Sequence, residues 1–426
     1  MLKSIFIAMT IFLGVFNSGH SENIDHSFEQ IDPISQKIAK AYLDSCPQNS
    51  ILFTGTEYYE AIKFIQEVFI YRTDVTLINP SRLDIPSYYA STLNKLKEED
   101  LEFNLSKKIL HPQGQITFPI NIDEARVTNL AGLDEHFNND SLYIKTDSVK
   151  LKYFPGRDMG ILESDFLYRF KSLENRPDLT RQHISWRWKK DAVSRGELLS
   201  LLIISKAVET RPVAFTAGGN HSALLGLDRY LIQYGLVGLF QPLIPVRLNG
   251  QLQEKTVIES PVVQDFVREM KNDNQFKFSI PTSLGKNVLR PLLLNEARFS
   301  LKQSDTTEAL EKLDLGMKVL DLETFGISDE VYVMGELFMK LDQQKQGQFL
   351  MDAYLTNVIA SLERSFVSTK IAQRRAVNAS AKQLKTVREI IQAHLSKYSE
   401  RSDYWNNRLV KLKAKRKEWS QNIDLD

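Results

Sequence analysis

The sequence predicts an α/β fold: a Rossmann-like parallel sheet with a mixed β insertion, then an all-α, tetratricopeptide-like and long-helix C-terminal region. Three observations carry this. Residues 51–96 alternate short apolar runs with helix-spaced segments, the signature of βαβ units. The same pattern returns at 194–244, so two separated stretches assemble one sheet. From about residue 290 the apolar spacing becomes helical throughout.

The elements follow in order. Ile38, Ala41 and Tyr42 form a short helical face, ended before Pro47. Ile51–Thr54 reads as a buried strand and Glu57–Ile70 as a helix with Ile62, Ile65, Val68 and Phe69 on one face. Asp74–Asn79 is a second strand, and Leu83–Leu96 a helix with Pro86 in its first turn. The insertion, about 100–190, holds alternating segments at Gln115–Ile120, Ser141–Lys145 and Val149–Tyr153, as half-buried antiparallel strands do. Ser194 and Glu197 make a capping box for a nearly all-apolar helix, Leu198–Val208. Val213–Thr216 reads as a strand, Ser222–Tyr234 as a helix with Gly235 as its C-cap, and Leu236–Ile244 as a last strand, interrupted by Pro242. This gives an α/β domain over 22–289, helical hairpins over 290–365 and a long basic amphipathic helix or helix pair over 366–426.

The 426 residues are 42% hydrophobic and 25% charged, with a formal net charge of +1. That balance argues against a nucleic-acid partner. Lys3 followed by the apolar run Ile5–Phe16, with Gly19 and Ser21 at −3 and −1 of a cleavage after Ser21, fits a secretory signal peptide over 1–21. The run is shorter than the ~18 residues of a membrane span. A periplasmic or secreted protein is expected, an uncleaved N-terminal anchor being the other reading.

Candidate site residues lie at two strand ends. Gly55, Thr56 and Glu57 open a helix, where unpaired N–H groups can cradle an anion, although GxGxxG and P-loop spacings are absent. Simple capping of the helix start competes with that reading. Gly218, Gly219, Asn220 and His221 follow the second strand; the glycines allow close approach and His221 could serve as acid or base. A glycine loop capped by Asn220 or Ser222 is the plainer alternative. Trp186, Arg187, Trp188 and Lys189 alternate aromatic and basic residues, as a surface that stacks on sugars or as a packed edge strand. The lone Cys46 lacks a basic neighbour to activate it. Seven scattered histidines and one cysteine predict no metal and no cofactor. The basic end Lys411–Lys417 could touch a membrane surface or a partner helix.

Two blocks, NSILFTGTEYYEAIKFIQEVFIYRTDVTLINPSRL and LLIISKAVETRPVAFTAGGNHSALLGLDRYLIQYGLVGLFQPLIPV, resemble the soluble extracytoplasmic region of bacterial protein O-mannosyltransferase-like multi-span membrane proteins. Gln66-Glu67-Val68, Arg72-Thr73-Asp74-Val75, Arg211-Pro212, Leu225-Gly226-Leu227 and Gly235-Leu236 carry it. Where that family often has Gly-Asp-Asn-Asp-Thr, this chain has Gly55-Thr56-Glu57-Tyr58-Tyr59. Both aspartates are replaced, and no membrane module is expected in these 426 residues. The resemblance therefore implies a fold and an envelope-glycan context, with no catalytic residue carried over. The expected function is non-catalytic binding or scaffolding, with an envelope protein or glycan as partner. The alternatives are an enzyme acting on a glycan or phosphorylated substrate between the Gly55 and Gly218 loops, through Glu57 and His221, and a peptide-binding array of helical hairpins.

Overall fold

A computed structural model describes residues 33–365, apart from 122–126, 146–149, 163–182, 218–224, 242–256, 274–283 and shorter gaps, with scattered positions between 403 and 417. The predicted signal peptide and most of the predicted C-terminal helix lie outside the described residues, as do Lys189 and the Gly218–His221 loop.

Helix α1 (Pro33–Asp44) leads into β1 (Ile51–Phe53), α2 (Thr56–Val68), β2 (Thr76–Ile78) and α3 (Pro86–Glu98). The insertion contributes β3 (Thr117–Pro119), β4 (Thr128–Asn129), β5 (Ile144–Lys145), β6 (Lys150–Leu151), β7 (Asp158–Leu162), β8 (His183–Arg187) and β9 (Ala192–Ser194). Helix α4 (Arg195–Ala207), capped by Ser194 and Glu197 as the sequence predicts, returns the chain to the main sheet at β10 (Val213–Thr216). There follow β11 (Leu231–Tyr234), β12 (Val237–Phe240), β13 (Val257–Ile258) and α5 (Pro261–Asn272).

The main sheet runs β13-β11-β12-β10-β1-β2. Its heart is parallel, with β1 between β10 and β2, while β12 is antiparallel to both β10 and β11. Strand alternation sorts the side chains into two cores. Ile51, Phe53, Ile78, Val213 and Phe215 pack with Leu198, Leu202 and Tyr89 of α4 and α3. Leu52, Leu77 and Ala214 pack on the other face with Tyr42, Ile62, Ile65 and Phe266, from α1, α2 and α5. The chain leaves β1 toward β2 and leaves β10 toward β12. That divergence makes the carboxyl ends of β1 and β10 the topological switch point, where open α/β sheets hold ligands.

One predicted element is wrong. Ser222–Tyr234 is not a helix over its described second half: Leu225 and Gly226 have φ of +51° and +78°, and Leu231–Tyr234 is a strand. Two consecutive left-handed residues cannot continue a right-handed helix. The strand forms a hairpin with β12 across the two-residue loop Gly235-Leu236, with Gly235 at φ +56°. Glycine first in such a loop suits a type II′ turn. Gly235 is thus a hairpin turn residue and not a helix cap.

The C-terminal part is helical, as expected. Helices α6 (Arg290–Lys302) and α7 (Thr306–Val319) form one hairpin, α8 (Asp329–Lys340) and α9 (Gln344–Ser365) another. In the second, a Cβ on Gly347 would stand 2.5 Å from Met339 Cγ and 2.9 Å from the Gly335 carbonyl, so glycine sets the helix spacing. Buried Arg290 donates to the carbonyls of Leu320 and Gly326, closing the connection between the hairpins. No described helix is long and apolar enough to cross a membrane.

Candidate functional site at the carboxyl edge of the sheet

The register brings Thr54, Asn79 and Thr216 side by side where β1, β2 and β10 end. By alternation they lie on the face of Leu52, Leu77 and Ala214, under the first turn of α2. All three are buried. The hydroxyls of Thr54 and Thr216 lie 3.4 Å apart. Asn79 Oδ1 accepts from the Ser81 amide at 3.0 Å, while its Nδ2, also buried, has no partner among the described residues. Pro80 lacks an N–H and so ends the β1–β2 ladder here.

Tyr42 closes the switch point from the α1 side. Its ring lies 4.9 Å from that of Tyr58, and its hydroxyl donates to the Ala217 carbonyl at 2.9 Å. Tyr58, standing where the resembled family has its second aspartate, is thus a buried packing residue. Beside it, the Tyr59 phenol is pushed up by burial and by its neighbour Tyr88, so it stays protonated and cannot serve as a base. Arg82 stacks on the Tyr59 ring at 4.9 Å and pairs with Glu60.

Of the predicted site residues, Gly55 is the N-cap of α2, with no side-chain cap and nothing within 4 Å of where its Cβ would be. Thr56 is exposed and Glu57 lies in the same helical turn. The packed-edge reading of Trp186–Lys189 fits better than the stacking surface. Both Trp186 (2% exposed) and Trp188 (5%) are buried, and only Arg187 between them faces out. Period-two alternation puts both rings on one side, and Gly226 lets Trp186 in, since a Cβ there would meet the indole at 3.3 Å. No group of three His, Cys, Asp or Glu among the described residues could hold a metal.

Three of the motifs that carry the family resemblance, those of Gln66, Arg72 and Arg211, do their work at the opposite, amino edge, whereas Gly235-Leu236 turns the hairpin beside Ala217 and Gly226 packs on Trp186. Arg72 forks onto Asp74 at 2.8 and 2.9 Å and also donates to the carbonyls of Leu43, Cys46 and Pro47. Asp74 in turn accepts from the Asn49 amide, and the arginine bond holds its carboxyl below the usual range. Gln66 clamps the same turn through the carbonyls of Arg72 and Val75. Arg211, also buried, pairs with Glu99 at 2.8 Å. These residues fix the loops that enter β1, β2 and β10.

The same turn displays a surface that sequence reasoning missed. Val68, Phe69 and Ile70 are 55%, 48% and 79% exposed. Ile70 and Arg72 both adopt left-handed backbone, φ +52° and +48°. For a β-branched residue this costs about 1–2 kcal/mol. Lys40 lies over the rings of Phe69 and Tyr71, 5.2 and 5.8 Å away. The available signal was an apolar run, Val-Phe-Ile-Tyr, that continues past the end of the helix's buried stripe.

A doubly wound α/β domain with its family motifs spent on structure is the class this architecture defines. The family model for TMEM260-associated domain 2 matches residues 35–262, more than half of the chain, and the chain belongs to that family. Neither the curated proteins nor the solved structures contain a significant match.

Proposed function

We propose that this chain is a non-catalytic binding or scaffolding module of the cell envelope, linked to protein glycosylation, which holds its partner through the Val68–Ile70 surface. The observation that carries the reading is Ile70, an apolar β-branched residue kept in a strained conformation and in water. Strain of that kind persists where the surroundings enforce it, and it concentrates at functional positions. Contiguous exposed apolar residues mark interaction sites. The Arg72–Asp74–Gln66 network supplies the enforcement. Tyr42, by closing the root of the switch point, argues for binding over chemistry there. The glycosylation context rests on the family's association with TMEM260, assigned to protein O-mannosyl transfer, and on the sequence resemblance above. The described positions between 403 and 417, Lys411, Lys413 and Lys417 among them, are helical and exposed, which suits a second contact with a membrane surface or partner helix.

The test pairs Phe69→Ser with Ile70→Asn in the native host. The variant is expected to stay folded, to lose its co-purifying partner and to alter envelope glycoproteins as deletion does. An unchanged partner set and glycoprotein pattern would reject the reading.

A further inference from the structure

At the other end of α2 the structure offers hydrogen-bond donors without acceptors. The first N–H groups of a helix have no acceptor one turn back; the Tyr58 amide turns to the Gly55 carbonyl at 3.3 Å, which leaves the amides of Thr56 and Glu57, and Gly55 brings no side chain to cap them. Asn79 adds a second, independent donor. Its side chain is completely buried, and the bond from the Ser81 amide to Oδ1 fixes which amide atom is nitrogen. The Nδ2–H2 group therefore lacks an acceptor among the described residues. Strand alternation turns it to the face on which α2 begins, one strand spacing, about 4.8 Å, from Thr54. The buried hydroxyl of Thr54 stands between Asn79 and Thr216, donating to the Gly55 carbonyl at 3.3 Å and accepting from Thr216 at 3.4 Å, so it lines the place without a free donor. Among the described residues, and its chain neighbours aside, nothing lies within 4 Å of where a Cβ on Gly55 would stand. Arg82, held over Tyr59, sets a cation at the rim, partly offset by Glu60.

We propose that the start of α2, with the amides that follow Gly55 and the side chain of Asn79, is a binding site for a phosphate group. A tetrahedral oxyanion suits donors converging from several directions, and the helix dipole favours its charge. The site is separate from the Val68–Ile70 surface, which lies at the far end of the same helix, so either can fail alone.

The experiment uses the full chain and inorganic phosphate, followed by 31P line broadening and thermal shift. Hexose 1-phosphate and vesicles carrying a polyprenyl phosphate distinguish a soluble from a lipid source. Saturable phosphate binding is expected. Gly55→Asp should abolish it while holding or raising the Tm, because Gly55 has φ −71° and room for a side chain, and the new carboxylate caps the helix itself. Asn79→Asp keeps the acceptor for Ser81 but removes the donor, and should weaken binding about tenfold or more. Glu57→Gln should tighten binding or leave it unchanged. The proposal is overturned if the folded chain shows no saturable binding at tens of millimolar phosphate, if Gly55→Asp and Asn79→Asp bind as the parent does, or if Glu57→Gln weakens binding.

Discussion

Replacing Arg72 by alanine tests whether the motif Arg-Thr-Asp-Val is a latch. The substitution removes the fork onto Asp74 and the donors to three carbonyls, of Leu43, Cys46 and Pro47. A lost hydrogen bond to a charged group costs about 1.5–3 kcal/mol where water cannot replace it. Here the side chains of Arg72 and Asp74 are 24% and 31% exposed, so water recovers part of that. We expect a loss of about 2–4 kcal/mol, measured by urea unfolding. Arg72→Lys should recover less than half, because an ammonium cannot fork. Lys63→Ala, which breaks an exposed pair at 3.7 Å, should cost under about 0.5 kcal/mol. The pH dependence has a definite sign. Asp74's carboxyl is held below its ordinary value, so its stabilisation is present above about pH 4 and lost as pH falls through the folded value. The gap between parent and Arg72→Ala must narrow there. A loss no larger than that of Lys63→Ala, at any pH, would refute the latch.

Other outcomes follow from the same geometry. Ile70→Asn alone should raise stability by up to about 1 kcal/mol, because asparagine tolerates the left-handed backbone better, while weakening partner binding. Burial pushes the Cys46 thiol up to about 12. It should resist a thiol reagent at pH 8 until the protein unfolds, and its stabilising contribution, full below pH 9, should fade as pH rises toward 12. Gly347→Ala should destabilise the second helical hairpin by about 1–3 kcal/mol, read by hydrogen exchange in α8 and α9, since the new methyl collides with Met339 and the Gly335 carbonyl.

Much of the fold was legible because its signals are local. Ile51–Phe53, the 3.6-residue spacing of Ile62 and Ile65, and the Ser194–Glu197 cap each announce their element within a few residues. Leu231–Tyr234 was not legible that way. Its short apolar run suits a helix or a strand, and pairing with β12, itself held by β10 some way back in the chain, decides between them. The local clue was the glycine of the two-residue loop. The tryptophans at 186 and 188 gave a strand by alternation, but which face meets the core depended on Gly226, forty residues on in the chain. Gly55 marks the carboxyl end of β1, as its place after the apolar run Ile51–Thr54 suggests. Asn79 and Thr216 escaped notice because only the register of three strands, from sequence far apart, sets them beside Thr54. The Val68–Ile70 surface escaped because an apolar residue past a helix end reads as core, and its exposure is fixed by Arg72 reaching back to α1 and the loop that follows it.

The most direct test of the account places a photo-crosslinking amino acid at position 70 of the chain in its native host, with position 116, also an isoleucine and 59% exposed, in the insertion, as control. The account predicts one discrete adduct from position 70, absent at 116 and suppressed by Phe69→Ser. No adduct from position 70, or the same adducts from both positions, would contradict it.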